Sequence, residues 1–181
     1  EHENVTPGLM VAMISFTELF LPIAATLTTE KVFQAFLGGY AENKTFFHGH
    51  SYTGNQLACA AALASLDLFR KRNVLGELPR KIELLHEGLE KLRQLPHVGD
   101  VRQCGFIGAV ELVRDRATKE AFACEERMGA KVCYLAREKG VLLRPLGDVL
   151  YFIPPYCIGE DQLNRLLDAA FDSIREETQG T

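Results

Sequence analysis

Hydrophobic positions along this chain follow two different periods, and the changes of period divide it into elements. Residues 7–27 are apolar and β-compatible, and Pro22 breaks them into two short strands because proline has no N–H for a sheet ladder. Thr29 is placed to cap a short helix whose Val32, Phe33, Phe36 and Leu37 share a face, and Gly38-Gly39 ends it. A polar loop, residues 41–44, leads into Phe46-Phe47. Residues 56–72 then read as a helix with a small-residue surface: Ala58, Ala60, Ala61, Ala62, Ala64 and Ser65. Two explanations fit that surface. It allows close approach of another helix, and hence burial at a subunit interface; equally, alanine is the best helix former.

The composition changes at Asn73. Leu78, Ile82, Leu85, Leu89 and Leu92 recur at spacings of four and three, with Lys, Arg and Glu between them, which predicts one amphipathic helix. After Pro96 come two strand-like runs, residues 98–104 and 106–113, joined at Gly105. Residues 125–139 read as a helix stopped by Gly140. Residues 141–143 and 149–153 predict a hairpin around Pro145-Leu146-Gly147-Asp148, and Leu163, Leu166, Leu167, Ala170, Phe171 and Ile174 mark a last amphipathic helix. From about residue 74 the order is therefore αββαββα, expected to form a small α+β domain with an antiparallel sheet.

Bulk properties exclude several functions. A chain of 181 residues holds one ordinary domain, or a small one plus a piece of another. Its net charge of −4 shows no basic excess, and its densest cationic run, Arg70-Lys71-Arg72, sits at a predicted helix end, where cations complement the dipole. Nucleic acid is not an expected partner. The five cysteines are scattered, odd in number and never spaced C-x-x-C, which argues against a disulfide framework or structural zinc. They suit a reducing compartment, so a cytoplasmic location is expected. No apolar run reaches the ~18 residues of a membrane span; the nearest, residues 9–27, is interrupted by Ser15, Thr17, Glu18 and Pro22. The opening Glu1-His2-Glu3 lacks an initiating Met and the basic start of a signal peptide, so the chain is expected to begin inside a longer protein.

Candidate chemistry gathers at two places. The first is His48-Gly49-His50-Ser51-Tyr52-Thr53-Gly54-Asn55, where two glycines permit close backbone approach and three hydroxyls precede a helix N-terminus. Such an arrangement favours an anion such as phosphate. His48 and His50 have no carboxylate or cysteine at ligand spacing, so no metal is expected. The second is Arg144, a planar fork suited to a carboxylate, lying in an apolar hairpin. An internal ion pair with Asp148 or Glu111 is the competing explanation. Tyr151, on the returning strand, either lines the same pocket or packs in the core. His86 and His97 read as solvated surface positions.

Several collinear stretches carry a resemblance. They are Leu21-Pro22-Ile23-Ala24-Ala25-Thr26-Leu27-Thr28-Thr29-Glu30, Thr45-Phe46-Phe47-His48-Gly49-His50, Gly54-Asn55-Gln56-Leu57-Ala58-Cys59-Ala60-Ala61, Pro96-His97-Val98-Gly99-Asp100-Val101-Arg102, Gly105-Phe106, Glu111-Leu112 and Arg144-Pro145-Leu146-Gly147-Asp148-Val149. Together they resemble class III aminotransferases. The resemblance implies an α/β fold, the PLP-dependent transferase fold type I, with pyridoxal 5'-phosphate (PLP) as cofactor and a homodimer whose sites lie between subunits. It implies that residues 1–73 end the large PLP-binding domain and that residues 74–181 are the small C-terminal α+β domain. Ser51 takes the place of the hydroxyl that contacts the cofactor phosphate from the partner subunit, with His50 beside it. Gly49 and Arg144 match positions that bind a keto-acid substrate, Arg144 gripping its carboxylate, and Tyr151 matches a pocket residue. The implied reaction moves an amino group from a small-molecule donor to that keto acid.

One departure matters. Gapless alignment between Pro7-Gly8-Leu9-Met10 and Leu21-Pro22 puts Ile14 where the family has its catalytic lysine; Ser15 replaces a glycine and Glu18-Leu19 a glycine pair. An isoleucine has no amine to condense with an aldehyde and carries no proton. Lys31, on the following helix, is no substitute. By the same alignment, the aspartate that pairs with the pyridine nitrogen lies before Glu1. Residues 13–20 keep the family's length and lose its chemistry, which fits a sequence error, a degenerate copy or a lysine-free homologue. Two further functions stay open: a non-catalytic dimerisation module built on residues 56–72, and a class III transaminase acting on ornithine or a diamine.

Overall fold

The structure, a computed structural model, describes residues 5–13, 21–49 and 51–179, so Ile14 and His50 lie outside the described residues. The chain forms two compact units, Glu1–Asn73 and Val74–Thr181. In the first, β1 (Leu9–Met13) pairs antiparallel with β2 (Ala24–Thr28), Leu9 opposite Thr28. Pro22 stays outside both strands. The Thr29 carbonyl accepts the Val32 and Phe33 N–H groups at 3.0 and 3.1 Å, which opens the short α1 (Glu30–Gln34) without help from the threonine hydroxyl. The long α2 (Gln56–Lys71) follows the 48–55 loop. Its buried residues are Ala58 and Ala62, while Leu57 and Leu63 are 74% and 66% exposed.

The second unit begins at α3 (Val74–Leu92), after Asn73 turns the chain in the left-handed region at φ 46°. Pro79 falls early in this helix, and the apolar stripe read from the sequence faces inward: Leu85, Leu89 and Leu92 are fully buried. β3 (Val98–Cys104), β4 (Ile107–Leu112), β5 (Arg144–Leu146) and β6 (Val149–Phe152) form an antiparallel sheet in the order β3-β4-β6-β5. Gly105, at φ +54°, makes the turn between β3 and β4. Strand alternation sends Val110, Leu112, Leu150 and Phe152 into the core. There they meet α3, α4 (Met128–Glu138) and α5 (Glu160–Thr178), whose Val132, Leu163 and Ile174 are fully buried. The other sheet face carries Ala109, Glu111, Val149 and Tyr151. Among the described residues no helix is long and apolar enough to cross a membrane.

Three local expectations change. The helix expected at residue 125 starts at Met128, because Glu126 reaches back to the Ala123 N–H at 2.9 Å and pairs with Arg114. That holds residues 124–126 in a 3-10 turn, and Arg127 at φ 50° restarts the chain. The hairpin strand expected at residues 141–143 lies at Arg144–Leu146 instead. Gly140 (φ +80°) lets the Val141 N–H return to the Ala136 carbonyl at 2.9 Å, so Val141 and Leu143 fill the core as helix exit, outside the ladder. Finally, His97 is half-buried: its Nδ1 lies 3.1 Å from the Val113 carbonyl oxygen and its ring packs on Phe122.

Candidate functional site

The candidate in the first unit is the loop before α2. Its approach is fixed by a run of rings: Phe36 lies 5.0 Å from Phe46, and Phe46 lies 5.4 Å from His48. Residues 51–54 form a turn that Gly54 closes at φ +69°, a conformation that suits glycine. Asn55 then caps the helix: its Oδ1 accepts the Ala58 N–H and its carbonyl the Cys59 N–H, both at 2.9 Å. The Gln56 and Leu57 amides remain at the helix end, where the dipole is positive. Ser51 is exposed on this turn. A Cβ built on Gly49 would find nothing nearer than the Thr53 hydroxyl at 3.9 Å, so the chain leaves space there. Hydroxyl and amide donors of this kind match phosphate oxygens, so the residues present fit the phosphate end of the cofactor.

A separate candidate lies on the β5–β6 hairpin of the second unit, where Arg144 pairs directly across from Tyr151 and Tyr151 across from Ala109. Directly paired residues share a sheet face, so Arg144 and Tyr151 stand side by side, the arginine exposed and the tyrosine half-buried. Both acceptors that competed for Arg144 are otherwise engaged. Glu111 binds Arg102 at 2.8 Å, and Asp148 Oδ1 accepts the Gly129 N–H at 2.9 Å. Among the described residues the Arg144 guanidinium has no anionic partner. A guanidinium exposed beside an aromatic ring has the geometry to accept a carboxylate.

Other features of the second unit stand apart from these residues. A 490 Å³ cleft between α3 and β3 is lined by His86, Glu90, Arg93 and Gln103 among others. Its polar groups already bond one another: His86 Nδ1 lies 3.0 Å from Gln103 Oε1, and Arg93 binds Glu90 and the Val101 carbonyl. Among the described residues no group of three or more His, Cys, Asp or Glu is placed to hold a metal ion. The sequence reading passed over Gly129 and gave Asp148 only the part of a partner for Arg144. Their contact spans 19 residues, so no local pattern announces it.

The aminotransferase class-III profile matches residues 1–174, and the chain belongs to that family. Among its relatives, the adenosylmethionine-8-amino-7-oxononanoate aminotransferase of Geobacter sulfurreducens is 56% identical over 98% of this chain, and that of Aquifex aeolicus is 50% identical over 97%. The chain spans 39% of the length of each. The crystal structure of the enzyme of that name from Methanocaldococcus jannaschii superposes with a TM-score of 0.88 at 44% identity, covering 94% of this chain and 39% of that one.

Proposed function

We propose that this chain is the C-terminal part of a PLP-dependent aminotransferase that converts 8-amino-7-oxononanoate to 7,8-diaminononanoate in biotin biosynthesis. The observation that carries this reading is Arg144, a guanidinium without an anionic partner among the described residues, set beside Tyr151. The names of the relatives point to the same substrate. In this reading residues 1–73 end the large domain and residues 74–181 form the small one, in keeping with the division of the chain into units at Asn73. Ser51 and His50, with the first amides of α2, hold the cofactor phosphate from across a homodimer. The exposed leucines of α2 supply apolar surface for that dimer, and the cytoplasm is its location.

When bound, pyridoxal phosphate supplies an electron-withdrawing ring that takes up charge as a proton leaves the neighbouring carbon. The chain's own residues bind and orient. Arg144 fixes the carboxylate end of the keto acid and Tyr151 shields one flank from water, while Gly49 matches a family position that binds the keto acid. Ile14 supplies neither amine nor proton at the lysine position. The chain as it stands therefore binds without transferring.

The reading is tested on the complete reading frame, with Ile14 and with Ile14→Lys. Each protein is incubated with 8-amino-7-oxononanoate and either adenosylmethionine or lysine as donor, and borohydride reduction followed by mass spectrometry locates any lysine bound to the cofactor. The expected result is no transfer with Ile14 and formation of 7,8-diaminononanoate with lysine restored. A folded, cofactor-loaded Ile14→Lys protein that aminates ornithine-type substrates and ignores this keto acid would overturn the substrate assignment.

A further inference from the structure

We propose that Asp148 is a positioning residue for Arg144, a role that rests on the carboxylate-receptor reading above. Arg144 begins a strand of three residues at the sheet edge, paired only with β6. Its place therefore depends on how firmly the Gly147-Asp148 turn is closed. Gly147 takes φ +59° to make that turn, and Asp148 fastens it twice. The Asp148 carbonyl accepts the Leu112 N–H of β4 at 2.9 Å, and its Oδ1 accepts the Gly129 N–H of α4 at 2.9 Å. The second bond fills a gap in α4. The residue before that helix, Arg127, offers no side-chain cap, and Gly129 is the second residue inside, the amide a cap normally serves. Asp148 supplies the missing acceptor from the far end of the hairpin, and its negative charge suits the helix N-terminus. Contact is closest at Gly129: a Cβ there would lie 2.3 Å from the Gly147 carbonyl oxygen and 3.1 Å from the Asp148 Cα. Helix and turn are thus one clasp: β6 is already held by the β4 ladder and the buried Leu150 and Phe152, and the clasp ties the turn and the edge strand of Arg144 to α4.

The test uses the full chain labelled with ¹⁵N, and nonanoate as the probe carboxylate. In the unaltered protein, the bond to Asp148 protects the Gly129 amide from exchange. Asp148→Ala removes that protection and the cross-strand contact between Arg144 and Tyr151, while core signals from Leu89 and Ile174 persist. Nonanoate binding, followed at the Arg144 side-chain N–H, weakens by about tenfold, the loss expected for one charge-assisted hydrogen bond. Asp148→Asn keeps the oxygen acceptor and restores both readouts. The proposal is overturned if Asp148→Ala leaves the Arg144–Tyr151 contact and nonanoate affinity unchanged, or if Asp148→Asn loses as much as Asp148→Ala. Should Asp148→Ala unfold the unit, the unaltered protein decides: absence of a scalar coupling across the hydrogen bond from the Gly129 nitrogen to the Asp148 carboxyl carbon rejects the clasp. If nonanoate binds equally well to Arg144→Ala, the carboxylate-receptor reading falls, and the clasp is judged on the Gly129 and cross-strand signals alone.

Discussion

In residues 74–181, Leu85, Leu89, Val110, Leu150, Leu163 and Ile174 are completely buried, packed between three helices and one face of a sheet. In residues 1–73, the buried apolar side chains among the described residues are Ala58 and Ala62, and Phe47, Leu57 and Leu63 stand 86%, 74% and 66% exposed. The first pattern belongs to a unit with its own core. The second belongs to a unit that leaves apolar side chains exposed. The chain spans 39% of the length of the relatives compared above. Substitutions on the two sides should therefore behave differently.

The largest contrast is in core truncation. Leu89→Ala should cost about 2–5 kcal/mol in urea unfolding, because the site is fully buried and a cavity remains. Leu63→Ala, exposed on α2 of the single chain, should stay within about 0.5 kcal/mol when the protein is measured as a monomer. Equal losses at the two positions would break the comparison. Glycines sharpen it next. Gly129→Ala drives a Cβ against the backbone of the β5–β6 turn, which cannot swing aside as a side-chain tip would, and should cost about 1–3 kcal/mol. Gly49→Ala meets only the Thr53 hydroxyl at ordinary distance and should leave the melting temperature unchanged. If Gly49→Ala nevertheless impairs keto-acid use in the restored enzyme, its role concerns the ligand alone.

How much of this was legible depended on the range of the interactions. α3 and α5 were readable because their apolar stripes repeat within each helix, and α2 because alanines fill it up to the Arg70-Lys71-Arg72 end. The αββαββα order was readable for the same reason. The start of α4 was hidden, since Glu125 and Glu126 are good helix formers and only the pairing of Glu126 with Arg114, twelve residues earlier, pulls them out of the helix. The strand at residues 141–143 was misplaced because Val-Leu-Leu is equally suitable for a strand and for a buried helix exit. At Arg144 the sequence offered two partners. Discarding them required knowing that Arg102 holds Glu111 and that α4 holds Asp148. Arg144 was legible as a residue type, and its lack of an anionic partner among the described residues only as geometry.

A smaller effect is expected at the cap of α2. Asn55→Ala removes the bond to the Ala58 N–H and should destabilise the helix by about 1 kcal/mol. Because the first unit contributes little core of its own, the loss should appear as faster amide exchange in the first turn of α2, with the unfolding midpoint of the second unit unmoved. A matching shift in both units would show that the two unfold together.

The smallest effect, and the finest comparison, concerns two cysteines. Cys59 on α2 is half-buried, whereas Cys133 on α4 is 5% exposed within the core. Burial disfavours the thiolate and pushes the Cys133 thiol from its ordinary 9.0 to about 11. The folded-state value is the higher one, so folding favours the neutral thiol. The stability gained is fully present below about pH 9 and is lost as the pH rises through about 11. Against Cys133→Ala, the unaltered protein should show an additional fall in urea midpoint across that window. In native protein at neutral pH, iodoacetamide should label the exposed Cys104, Cys124 and Cys157 first and reach Cys133 only after unfolding of the second unit. Labelling of Cys133 at the rate of the exposed thiols would mean that this core opens readily, and the contrast between a self-sufficient unit and an uncovered one would go with it.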